Sequence, residues 1–114
     1  MAVRIIGTGS YLPKKVADNN FLSTLVDTDD EWIRQRTGIK QRHLSSGKEG
    51  TTYMATKASL AAIENAQIEP EELDLIIVAT LSADTYVPST SCSVQGAIGA
   101  SRATCFDLNA ACSG

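Results

Sequence analysis

Two apolar patterns set the frame of this chain. Leu75-Ile76-Ile77-Val78-Ala79 is a continuous apolar run between Asp74 and Thr80, the pattern of a strand buried on both faces in a parallel sheet. Ahead of it, Met54, Ala55, Ala58, Ala61, Ala62 and Ala66 recur at helical spacing, with Leu60 and Ile63 beside them. That spacing predicts a long helix from Thr51 or Thr52 to about Gln67, whose small-residue stripe can lie close against a sheet. A second helix starts at Pro88 and Ser89, runs through Val94, Ala97 and Ile98, and closes at Gly99. The β-rich runs at 3–8 (V-R-I-I-G-T) and 103–108 (A-T-C-F-D-L) predict a first and a last strand. The order of helices and strands argues for an α/β layered domain.

Local punctuation fills in the remainder. Pro13 ends regular structure, because it lacks a backbone donor and restricts Leu12. Asp18-Asn19-Asn20 offers caps for a short helix carrying Phe21, Leu22, Leu25 and Val26. Residues 27–38 (D-T-D-D-E-W-I-R-Q-R-T-G) read as a helix with a Thr28/Glu31 capping box, arginines in the last turn and Gly38 as a left-handed cap. Residues 39–44 follow as a short strand or loop, and 45–50 as a mobile surface loop. Glu69-Pro70-Glu71-Glu72-Leu73 predicts a proline-started helical turn, and residues 80–86 a polar loop.

Composition narrows the class. The chain has 114 residues, 43% of them hydrophobic, and a net charge of −3, enough for one small domain with a core and no footprint of a nucleic-acid binder. No apolar run approaches the ~20 residues of a membrane helix, and the N-terminal residues lack a signal-peptide pattern. Cys92, Cys105 and Cys112 cannot all pair within the chain. They are expected to be reduced thiols in the cytoplasm. Their spacing and the distant His43 give no metal-site pattern.

Cys112 is the candidate for chemistry. Phe106-Asp107-Leu108 reads as a strand end, Asn109-Ala110-Ala111 as a run of small residues, and Cys112-Ser113-Gly114 as a sharp turn. A cysteine where a strand breaks toward a helix meets backbone N–H groups and a positive helix end, both of which stabilise the reactive thiolate. The same strand–turn–helix bend presents serine in the nucleophile elbow. The competing reading is a small buried core residue. Cys92 and Cys105 lack this setting and are read as structural.

Five colinear stretches carry a resemblance: 5–13 (I-I-G-T-G-S-Y-L-P), 27–39 (D-T-D-D-E-W-I-R-Q-R-T-G-I), 42–43 (R-H), 78–85 (V-A-T-L-S-A-D-T) and 106–114 (F-D-L-N-A-A-C-S-G). Together they resemble the N-terminal third of β-ketoacyl-acyl-carrier-protein synthase III. The resemblance implies a thiolase-like layered α-β-α fold, with residues 1–114 the first, incomplete part of its N-terminal half. It implies an acyltransferase of fatty acid biosynthesis that condenses acyl-CoA with malonyl-acyl-carrier protein, with acyl-CoA as substrate and no tightly bound cofactor. It also implies a homodimer that includes the remainder of the polypeptide. On this basis Cys112 aligns with the nucleophile that takes the acyl group as a thioester. Trp32 aligns with the residue stacked on the adenine of coenzyme A, and Thr28, Arg36 and Thr37 with neighbours that contact it. Trp32 on its own reads better as a helix residue packed on the core than as a ligand contact. Val87 stands where many relatives carry phenylalanine at the acyl pocket, which predicts a primer larger than acetyl. His43 and Asn109 do not align with the family's catalytic histidine and asparagine, so residues 1–114 alone are expected to be inactive. The alternatives are another thiolase-fold condensing enzyme, hydroxymethylglutaryl-CoA synthase-like or a polyketide starter, or a non-catalytic module that binds coenzyme A or a partner.

Overall fold

Asp18 closes one element and opens the next. The computed structural model describes residues 2–114. Within them Leu12–Lys48 forms one compact unit, and residues 2–11 with Glu49–Gly114 form another. In the first unit β1 (Lys15–Asp18) pairs antiparallel with β2 (Gln41–Leu44), Lys15 opposite Leu44 and Asp18 opposite Gln41. β1 has no apolar alternation to announce it and exists through its partner. The Asp18 carboxylate then accepts the Phe21 N–H at 2.7 Å and starts α1 (Asn19–Ser23). Leu25 and Val26, expected on that helix, lie beyond it. The Ser23 and Thr24 hydroxyls donate to the Asn20 and Phe21 carbonyls, each at 2.7 Å, and compete with continuation of the helix.

α2 (Asp30–Thr37) keeps its expected end: Gly38 is left-handed, φ 72°, and returns its N–H to the Arg34 carbonyl at 2.9 Å. Its start differs from the capping box read in the sequence. Asp29 is the cap and accepts the Trp32 N–H at 2.7 Å, while Glu31 bonds Gln35 at 2.9 Å. A carboxylate at the positive helix end outcompetes the neighbouring Thr28 hydroxyl.

In the second unit α3 (Thr51–Ala66) lies against the segment 5–9, not against a sheet. A Cβ at Gly7 would stand 2.6 Å from Ala66 Cβ and 2.7 Å from the Ala62 carbonyl, and one at Gly9 would enter the Ala58 and Ala62 backbone. The Thr8 N–H also reaches Asn65 Oδ1 at 3.0 Å. Residues 3–8 are therefore not the expected strand: they have no ladder partner among the described residues, and a strand needs one. Glu49, read as part of a surface loop, is buried and accepts the Tyr11 hydroxyl at 2.5 Å.

β3 (Leu75–Ala79) pairs parallel with β4 (Thr104–Leu108), Ile77 opposite Phe106. α4 (Thr90–Ile98) covers one face. Its buried Val94 and Ile98, with Ala100 and Ala103, form the core, flanked by Ala55 and Ile63 of α3, Leu73 and Ile76. The expectation that β3 is buried on both faces is corrected. Leu75, Ile77, Phe106 and Leu108 line the other face, 41% to 50% exposed, because no layer covers it among the described residues.

Candidate active site

The bend after β4 is built from both sides. Asp107 points to the α4 face and accepts the Thr90 and Ser91 N–H groups, each at 2.8 Å, tying the strand to the helix start. Burial pushes the Asp107 carboxyl up, but those hydrogen bonds outweigh it and hold the group below the usual carboxylate range. Two residues past the strand the backbone turns sharply. Ala110 sits at φ −133°, ψ 29°, and Ala111 at φ 48°, a left-handed conformation that costs a non-glycine residue about 1–2 kcal/mol. Ala111–Ser113 form a single 3-10 turn, with the Ser113 N–H on the Ala110 carbonyl at 2.9 Å. The Cys112 thiol is exposed on that turn, not packed in the core. Gly114 passes close to Ala79 at the end of β3, where an added Cβ would lie 3.3 Å from Ala79 Cβ.

Val87 is exposed in the loop between β3 and α4, next to the fully exposed Tyr86. The same loop supplies a helix cap that no local pattern signals. Asp84 accepts the Thr51 and Thr52 N–H groups at 2.9 and 2.8 Å, and these bonds lower its pKa.

The residues aligned with coenzyme A contacts lie in the Leu12–Lys48 unit. Trp32 is 51% exposed, and the Arg36 guanidinium one turn on sits 4.4 Å above its ring. The two side chains thus form one flat cationic stack, a pairing not foreseen from the separate residues. Thr37 Oγ1 donates to the Ile33 carbonyl at 2.7 Å and accepts the Ile39 N–H at 3.1 Å, so much of its bonding capacity serves the helix end. Thr28 Oγ1 is buried without a hydrogen-bond partner. A depression of about 490 Å³, lined by Asp30, Glu31, Arg34, Gln35, Gly38 and Lys40, opens on the far side of α2 from the stack.

Asn19, read only as a cap, is the hub of this unit. Its buried amide donates at 2.8 Å to Asp30 Oδ1 and to the Ile39 carbonyl, and its oxygen accepts from Arg42 at 2.8 Å. The Asn19 bond, more than the Arg34 ion pair at 3.4 Å, lowers the Asp30 pKa. His43 lies in β2 with Nδ1 bonded to the Pro13 carbonyl at 2.5 Å. Among the described residues no three His, Cys, Asp or Glu side chains gather to hold a metal, and no helix is long and apolar enough to cross a membrane.

This α/β arrangement is that of the thiolase-like condensing enzymes. It superposes on 3-oxoacyl-[acyl-carrier-protein] synthase III from Aquifex aeolicus with a TM-score of 0.93 and 53% identity, over 97% of this chain and 36% of that one. It superposes on the priming β-ketosynthase of the R1128 polyketide biosynthetic pathway with a TM-score of 0.92 and 38% identity, over 96% of this chain and 33% of that one. The sequence comparison is narrower: the chain's homologues are beta-ketoacyl-[acyl-carrier-protein] synthases III. It is 61% identical to the one from Clostridium botulinum over 112 residues and 58% identical to the one from Clostridium acetobutylicum over 113. These matches take in 98% and 99% of the chain, which spans 34% of the length of each of these curated relatives. No family model matches the chain.

Proposed function

We propose that the chain is the acyl-accepting portion of a β-ketoacyl-acyl-carrier-protein synthase III. The exposed Cys112 thiol on the strained Ala111 bend carries this reading. The Cys112 thiolate attacks the carbonyl of acyl-CoA, an S–C bond forms, and the bond to the coenzyme A sulfur breaks. The proton given up when the Cys112 thiolate forms ends on the departing coenzyme A thiolate, and the acyl group stays as a thioester. Condensation with malonyl-acyl-carrier protein then releases the β-ketoacyl product and carbon dioxide. The chain's own His43 and Asn109 do not serve that second step: His43, in β2, is bonded to the Pro13 carbonyl, and Asn109 follows a strand end. Residues 1–114 alone are accordingly inactive in condensation, and the working enzyme is a homodimer that includes further polypeptide. Trp32 takes the adenine of coenzyme A, Arg36 a phosphate, and Thr28 and Thr37 adjoin them. Val87 bounds the acyl pocket and admits primers larger than acetyl.

Acylation tests this directly. Incubation with radiolabelled acetyl-CoA or isobutyryl-CoA should leave a hydroxylamine-sensitive label on the Cys112 peptide, and Cys112→Ser should abolish it. Label spread equally over Cys92, Cys105 and Cys112, or no label on any, would overturn the reading. The 38% identity to a priming ketosynthase of a polyketide pathway favours one second reading, a polyketide starter enzyme. In the working enzyme with its further polypeptide, product identity with a fatty-acid against a polyketide carrier protein separates the two.

A further inference from the structure

Cys92 and Cys105 read as structural in the sequence, yet the fold brings their sulfurs together. Cys92 is in the first turn of α4, and Cys105 is on the face of β4 that α4 covers. Their Sγ atoms are 2.9 Å apart, within about 1 Å of the ~2.05 Å covalent S–S length. Cys92 is exposed and borders a cleft of about 250 Å³ that it shares with Gln95, Gly96, Gly99 and Ser101, so a small oxidant has a route to it. Cys105 is half-buried behind it and held toward Gln95 Oε1 at 3.3 Å. One sulfur is thus presented for attack on an oxidant and the second is placed to resolve the adduct.

The geometry points to Cys92 and Cys105 as a reversible dithiol–disulfide pair, a modification site separate from Cys112, whose oxidant is a small-molecule disulfide such as oxidised glutathione. The Cys92 thiolate attacks one sulfur of the oxidant, forms a mixed disulfide and expels one glutathione thiolate. The Cys105 thiolate then attacks the Cys92 sulfur, closes the protein disulfide and expels the second glutathione. The two protein protons end on the two departing thiolates, the protein thiols lose two electrons and the oxidant gains them. Local electrostatics favour this order. The Cys105 contact, then the Ser89 hydroxyl, lower the Cys92 pKa against burial and the opposing field of Asp107. The same sulfur contact, with burial, raises the pKa of Cys105.

The closed bond would pin the start of α4 to β4 without involving Cys112. Failure of this inference leaves the acylation reading untouched, because the two are read on different sulfurs. In the test the chain is treated with oxidised glutathione, both native and in guanidinium, and quenched with iodoacetamide. Trypsin and Asp-N then give peptides 84–102, 103–106 and 107–114, each with one cysteine. The native chain should yield the 84–102/103–106 cross-link, reversed by dithiothreitol. Its ratio to the Cys105–Cys112 cross-link should be about tenfold or more above that in guanidinium, where the shorter loop closes more readily. Cys112→Ser should leave the native cross-link intact. Cys105→Ala should remove it and leave glutathione on Cys92, and Cys92→Ser should leave Cys105 unlinked. A native chain that links Cys112 instead, or carries only separate glutathione adducts, overturns the inference.

Discussion

At the residue scale two aspartates and two glycines make the sharpest tests. Asp84 and Asp107 each accept two backbone N–H groups at a helix start, and each has a folded pKa below its unfolded value. The stability they contribute is therefore complete above the unfolded carboxylate value of ~3.9 and is lost as pH falls through their folded values. Thermal unfolding followed down through that range should show the loss, and Asp107→Asn should flatten it. Asp107→Ala should cost about 1–2 kcal/mol in urea unfolding, as for other lost helix caps. Gly9→Ala drives a methyl into the α3 backbone and should destabilise by about 1–3 kcal/mol. Gly96→Ala, inside α4 with nothing within 4 Å of the new Cβ, should instead stabilise by about 0.5–1 kcal/mol.

At the scale of elements, α2 shows how far a sequence reaches. Its body and glycine terminus were legible because both are local signals, and its cap was misplaced by one because two adjacent side chains, Thr28 and Asp29, can each cap a helix there. The runs that became β3 and β4 were equally plain. Residues 3–8 and β1 were not. A strand is defined by its partner, and K-V-A-D finds one in β2 while V-R-I-I-G-T finds none among the described residues. The role of Asn19 was hidden for the same reason, since its partners Asp30, Ile39 and Arg42 come from three other segments. Asn19→Ala should cost about 2–4 kcal/mol by leaving several buried polar groups unpaired, read by chemical unfolding. At the candidate site the Cys112 bend could be foreseen from small residues in sequence, and the Trp32–Arg36 stack was signalled by their spacing of four on a predicted helix but was not read from it. Trp32 is the only tryptophan, so its emission reports the stack alone. Arg36→Ala should change that emission without ligand and weaken acyl-CoA binding by about tenfold, the scale of one lost cation–π and phosphate contact.

For the whole molecule, the open face of the β3–β4 pair dominates behaviour. Leu75, Ile77, Phe106 and Leu108 form a contiguous apolar strip, and such strips drive association. The 114-residue chain on its own should self-associate at micromolar concentration. Ile77→Ser with Phe106→Ser should reduce light scattering, and scattering unchanged by that double substitution would assign the association elsewhere.

The carboxylate of Asp84 reaches across more than thirty positions to begin α3, whose own preceding residue, Gly50, has no side chain to offer. Excised from its surroundings, a synthetic peptide covering 50–67 would start with bare amide hydrogens and fray from that end. The longest helix here is thus a product of the finished tertiary structure, so it should gain protection from hydrogen exchange only when the distant loop has docked.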